Sequence, residues 1–235
     1  MQMSQMHYLP LTPDFFALLV GIFIFVLILR SVRYAFESLG VSSRTALFLL
    51  LGSLIGSFFN IPIADLPAEP MMPAHAVHFF GMHYAVPPGH WTGTVIAVNV
   101  GGAVIPAAMS LYLLITHGLW TKGLVATAII ALAIHWLATP IYGLGIAVPV
   151  FMPALITAVV ARMLSRDEAA PLAYIGGGLG TLIGADLTNL DKVRGLGAPV
   201  ASIGGAGTFD GIFLTGILAV LLASFYSRPR AAQLG

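Results

Sequence analysis

The chain has 235 residues, 58% hydrophobic and 8% charged, with a net charge of +1 and a mean hydropathy of +0.96. A soluble domain carries about 25% charged residues to solvate its surface, so this composition excludes an ordinary water-soluble globule. The near-neutral balance leaves no basic groove for nucleic acid. With no cysteine in the chain, disulfides, thiolate catalysis and cysteine metal sites are excluded too.

The apolar residues fall in blocks of roughly 17–25, the length that crosses a ~30 Å hydrocarbon core at 1.5 Å per helical residue. Residues 1–14 lack the positive n-region of a signal peptide, and no small-residue cleavage site follows, so the first block is expected to stay as an anchor. That block, 15–29, ends in Arg30 and Arg33, whose stems can snorkel to the headgroups. A polar turn leads to the second span, 45–59, stopped by Asn60 and Pro62. Residues 61–91 then form a surface loop with six prolines, four histidines and neither lysine nor arginine. Within it, 77–86 is rich in aromatic and β-branched residues about Gly81, the pattern of a short hairpin.

The third span, 92–116, contains Asn99, Gly101, Gly102 and Pro106, so a kinked or partly unwound helix is expected. Lys122 precedes the fourth span, 124–138. A Pro/Gly connector, 139–145, leads to the fifth, 146–163, which Pro149 and Pro153 should bend. Arg162 and Arg166 close it. Pro171 opens a sixth span reaching about residue 190, and a glycine-rich segment, 191–207, leads to a seventh, about 208–226, followed by Arg228 and Arg230. Short loops rich in lysine and arginine stay in the cytoplasm. Threading the chain with its N-terminus outside puts eight of the ten basic residues inside, the exceptions being Lys192 and Arg194, which Asp191 can pair. The expectation is an all-α, polytopic helix bundle forming one domain over 1–235, with about seven transmembrane helices, N-out and C-in, and the 61–91 loop outside. Six spans with a re-entrant segment is the alternative.

The candidate site lies in the C-terminal quarter, where Asp186 and Asp210 stand in or at the ends of consecutive antiparallel spans. Asp186 is 14 residues past Leu172 and Asp210 is 16 before Tyr226, so both sit ~21–24 Å from the cytoplasmic face at helical rise. A carboxylate at the centre of a membrane helix costs about 2.5–3.5 kcal/mol on insertion scales, which turns it toward protein or a water-filled cavity. Two together would share a proton. The plainer reading makes each a helix-end cap. Thr181, Thr208 and Asn99 complete the candidate ion- or solute-binding set, and Asn60 and Asn99 also read as interhelical hydrogen-bonders.

Gly176, Gly180 and Gly184, at i, i+4 and i+8, form a face on which another helix can pack closely. Asp186 falls ~200° from Gly184 and so faces away from that contact. His75, His78, His83 and His90, with Met71 and Met72, offer soft and imidazole ligands, but their spacing matches no closed metal motif, so no structural metal is expected there. His135 beside Trp136 reads as a hydrogen-bonded interior residue and a proton-relay candidate. No cofactor is implied. The expected partners are membrane lipid and either a second copy or another membrane subunit.

Three stretches carry a resemblance: 51–62 (LGSLIGSFFNIP), 98–106 (VNVGGAVIP), and 180–187 (GTLIGADL) with 206–216 (AGTFDGIFLTG). The chain resembles an uncharacterised family of prokaryotic multi-spanning membrane proteins known as a domain of unknown function. That likeness covers nearly the whole chain, implies the prokaryotic cytoplasmic (inner) membrane, and brings no activity. Gly184-Ala-Asp186 is also similar to part of the Gly-x-Gly-Asp motif of intramembrane aspartyl proteases of the presenilin and prepilin-peptidase type, which would make Asp186 and Asp210 catalytic. Ile183 stands where that motif has its first glycine, and Asp210 follows Gly207 by three residues instead of one. The leading expectation is therefore a non-enzymatic protein that moves or senses a small ion or solute, with a di-aspartyl protease and an accessory or assembly subunit as rivals.

Overall fold

The apolar blocks fold mainly as helices, but the chain leaves helical geometry repeatedly at one end of them. The computed structural model describes residues 13–67, 75–79, 82–86, 93–141, 145–149, 151–193, 198–205 and 211–224. In chain order the helices are α1 (Pro13–Ser38), α2 (Ser43–Gly56), α3 (Ile105–Thr116), α4 (Trp120–Leu137), α5 (Met152–Leu164), α6 (Ala169–Ile175) and α7 (Gly211–Ser224). A π-helical turn, Val100–Val104, leads into α3, and α6 runs on through π-helical turns Gly176–Gly180 and Leu182–Asp186 into a 3-10 stretch, Leu187–Val193.

The all-α expectation is corrected. Among the described residues there are seven strands: β1 (Asn60–Leu66), β2 (His75–Phe79), β3 (Met82–Val86), β4 (Thr94–Asn99), β5 (Thr139–Ile141), β6 (Gly145–Ala147) and β7 (Val200–Ile203). β4 is the centre of a three-stranded sheet, antiparallel to β1 and parallel to β7. The hairpin expected about Gly81 forms as β2 and β3, with His78 opposite His83 in register. A second hairpin, β5–β6, occupies the Pro/Gly connector. A short, apolar, β-branched run such as 94–98 suits a buried strand as well as a helix, and pairing satisfies the backbone groups that the flanking Asn and Gly free from helical bonding.

The strands shorten the helices. Two of them, over Phe16–Ser38 and Trp120–Leu137, are long and apolar enough to cross a membrane. α2, with 14 residues, reaches only ~21 Å at helical rise. α5 begins at Met152, six residues later than the block suggested, because Pro153 sits in its first turn, where a missing N–H costs nothing. Pro149 precedes the helix. Both prolines start α5 and neither bends it.

The connections sort by type. Turns at 39–42, 117–119 and 165–168 are tight, and His117 Nδ1 meets Glu168 Oε2 at 3.1 Å, joining two of them. Arg33, Arg44, Lys122, Arg162 and Arg166 lie in or beside these turns. The strands occupy the connections at the opposite end. Between the ends, residues 169–178 are buried without exception, making this the central helix, with α3, α4, α5 and α7 packed around it. Leu172, Ile175, Leu113 and Val220 are among the side chains that fill the core. The outward faces are apolar: Phe48 is 75% exposed, Trp136 81% and Met163 81%. α1 is exposed at every position from 16 to 31 and docks through Val32, Ala35 and Phe36 near its C-terminal end.

Candidate functional site

Gly176, Gly180 and Gly184 of the central helix all meet α4. A Cβ on Gly176 or Gly180 would press on Ile130, and one on Gly184 would overlap the Ala131 carbonyl. The i, i+4, i+8 spacing thus works as a packing face, helped by π-helical turns whose i→i+5 bonding widens the helix and keeps such a stripe straighter than α geometry does. This face is occupied within the chain, so it offers no glycine surface to a partner.

Widening frees carbonyls, and Asn189 takes them up. Its side chain is fully buried, and Nδ2 donates to the carbonyls of Gly184 and Ala185, both at 2.9 Å. Thr188 Oγ1 also donates to the Gly184 carbonyl at 2.9 Å and lies 2.8 Å from His135 Nδ1 on α4. His135 is thereby the hydrogen-bonded residue its setting suggested. Lys192 donates to Asn189 Oδ1 at 2.7 Å. Its described partner is thus this amide, where Asp191 was expected.

Asp186 ends the second π-helical turn and points away from α4, as its spacing from Gly184 requires. Its Oδ2 accepts the backbone N–H of Gly204 at 2.6 Å, a short charge-assisted bond. Gly204 follows β7 at φ +81°, and a Cβ there would collide with the Ala103 nitrogen and the Gly102 carbonyl carbon. Only glycine permits both that φ and that approach. Through this one residue the π-helical turn carrying Asp186 touches the π-helical turn Val100–Val104.

The second turn has its own polar knot. Asn99, 2% exposed, caps it by accepting the Gly102 N–H at 2.9 Å, while its Nδ2 donates to the Ser57 carbonyl at 2.8 Å and to Asn60 Oδ1 at 3.1 Å. Asn60 Oδ1 also accepts from Ser202 Oγ on β7. Ser53 Oγ donates to the Gly101 carbonyl at 2.6 Å. Asn60 and Asn99 therefore bond one another, but between the paired strands β1 and β4 and not between helices as expected. The end of α2, the start of the third rod, the end of the central helix and β7 converge on one polar junction.

Thr181, also expected in the site, lies buried on the central helix, one turn back from Asp186. Its hydroxyl and those of Ser110, Thr127 and Thr157 have no hydrogen-bond partner among the described residues. Ser110 lies against Gly178, Thr157 against Gly177, and the Thr127 carbonyl against Gly180. Asp210 and Thr208 fall outside the described residues, as do His90, Met71 and Met72. The structure therefore brings Asp186 and Asn99 to one junction through Gly204 and leaves the aspartate pair undescribed. Sequence reading missed Asn189, Ser202, Ser110 and Thr157, whose residue types are ordinary in helices and strands.

Residues 54–222 match the family described as protein of unknown function, DUF1614. The chain belongs to this family. Its matched region begins near the end of α2 and takes in every residue of the polar junction except Ser53. No curated protein and no solved structure matches the chain.

Proposed function

We propose that this DUF1614 chain is a multi-pass protein of the prokaryotic cytoplasmic membrane, its seven helical rods crossing N-out and C-in, and that it moves or senses a small ion or solute at Asp186. Membrane residence is supported by the apolar exposure of the rods and by α1, which is apolar all round and faces no protein along most of its length. Orientation is supported by the basic residues gathered at the tight-turn end. The π-helical turns of the central helix are buried in protein, the setting in which backbone that leaves α-helical form is tolerated at membrane depth.

The observation that carries the functional reading is the setting of Asp186. A carboxylate on the central helix sits where that helix is widened, against another widened helix start, at a junction of oxygens and amides: Asn99, Asn60, Ser202 and Gly204. Transporters build ion and solute sites from such interrupted helices, with carboxylates and freed backbone groups turned inward. Thr181 and the unpartnered Ser110 hydroxyl beside Gly178 supply polar oxygens along the same helix. Asp210 and Thr208, which precede α7 in the sequence, are proposed as further members of the site.

The test is ion flux into vesicles carrying the purified protein, read with a pH-sensitive dye under imposed proton, sodium and potassium gradients. Flux abolished by Asp186→Asn, with the protein still folded, is the expected result. Flux unchanged in that variant removes Asp186 from the function.

A further inference from the structure

At the tight-turn end, away from the Asp186 junction, α5 and the turn after it border a shallow, open depression of about 390 Å³ lined by Val159, Arg162, Met163 and Arg166. Val159, Arg162 and Met163 are spaced i, i+3 and i+4 on one face of α5, and Arg166 follows in the turn beyond it. Two arginines therefore line the same depression. Arg162 is held in place, its Nη1 donating to the carbonyl of Ala223 in the last turn of α7 at 3.1 Å. Arg166 lies in the exposed turn beyond α5 and makes no ion pair among the described residues. The neighbouring carboxylate of Glu168 is turned to His117 of the α3 end.

The same face continues as a stripe of apolar side chains. Met152 is 43% exposed, Leu155 52%, Val159 51% and Met163 81%, running the length of α5 up to the arginines. A surface that is apolar over a helix length and doubly cationic at one end matches an amphiphile with an anionic head. A guanidinium pair suits phosphate oxygens, which it can bind through several N–H donors at once.

We infer that this face is a binding site for an anionic glycerophospholipid, its phosphodiester between Arg162 and Arg166 and one acyl chain along Met163, Val159 and Leu155. This rests on the membrane reading above, since only a bilayer presents such a ligand with its head at the basic end. A free phosphate would use the arginines alone and leave the stripe without a role. A protein partner would need complementary acidic and apolar groups of its own, and the length and direction of the stripe favour a lipid.

The experiment uses the full chain in a neutral detergent, with its melting temperature followed during titration by phosphatidylglycerol, by phosphatidylcholine of the same acyl chains, and by inorganic phosphate. Phosphatidylglycerol should raise the melting temperature saturably, and the other two should not. Arg166→Gln should weaken the apparent phosphatidylglycerol affinity about fivefold, the effect of one surface cation on anionic lipid, and Arg166→Lys should restore most of it. Lys122→Gln, on α4 and not among the lining residues, should leave it unchanged. Equal shifts with phosphatidylcholine, or an unaltered affinity in Arg166→Gln, overturn the site. An equal shift with inorganic phosphate shows an anion site and overturns the lipid assignment. Alkaline carbonate washing of membranes separates the two levels: release of the protein defeats the membrane reading itself, whereas retention without any phosphatidylglycerol preference defeats only the lipid site.

Discussion

At the scale of single residues, the polar groups divide into those that hold the junction and one that is suited to act. Asn99 holds it, since its amide serves three partners and nine-tenths or more of it is buried. Asn99→Ala strands the Gly102 N–H and the Ser57 carbonyl, so it should destabilise the protein by about 1–3 kcal/mol, the cost of buried polar groups left unpaired. Denaturant unfolding in detergent measures this, and a change below a few tenths would show that the junction is not structural. Asp186 differs, because asparagine keeps an oxygen for the Gly204 N–H while losing the charge. Asp186→Asn should therefore melt near the parent temperature and fail in flux. If Asp210 shares the site, Asp210→Asn should fail likewise and the double variant should add little. Mild, additive effects would mean two separate caps. Asp186 and Asn99 were legible in the sequence because each is a lone polar residue inside an apolar block, where its presence demands a partner. Asn189, Ser110 and Thr157 were not, since serine and threonine are common in apolar helices and Asn189 lay in what read as a helix end. Their roles appear only once the widened helix brings glycine backbones and freed carbonyls against them.

At the scale of elements, glycine carries the contact between the central helix and α4. Gly184→Ala would drive a methyl group into the Ala131 backbone, which cannot rotate aside, so a loss of about 1–3 kcal/mol or more is expected. Gly21 on α1 has nothing within 4 Å of a Cβ, and Gly21→Ala should be neutral or stabilise by about 0.5–1 kcal/mol through helix propensity. Melting temperatures of the two variants compare these directly, and equal small shifts would mean that the central helix and α4 are not in backbone contact. The stripe was readable because its spacing is a property of helices. The strands were not, because a buried run such as 94–99 has no alternation to separate it from a helix block. Pro149 and Pro153 were misread for a related reason: proline marks a helix start as readily as a bend, and only the unwinding of residues 145–149 into β6 and its exit tells which.

At the scale of the whole molecule, the two ends differ in chemistry, and the proposed orientation rests on that difference. Tight turns with Arg33, Arg44, Lys122, Arg162 and Arg166 lie at one end, and paired strands with Asp65 lie at the other. Translocating short basic loops is disfavoured, so the tight-turn end should face the cytoplasm and β1 to β3 the outside. The chain has no cysteine, so single cysteines placed at exposed sites report without background. In intact cells a membrane-impermeant maleimide should label Asp65→Cys, while Asp167→Cys, in the turn after α5, should react only once the membrane is opened. Both positions are exposed, so failure to react reflects the barrier and not burial, and denatured samples confirm that each thiol is competent. The reverse pattern would invert the orientation and place Arg162 and Arg166 outside. Labelling of both from one side would mean that an odd number of crossings does not separate them, which removes the seven-rod threading while leaving the helix packing and the Asp186 junction intact. Because three helices, α3, α4 and α5, lie between Asp65 and Asp167, the pair of positions tests the threading through α3 to α5 in one experiment.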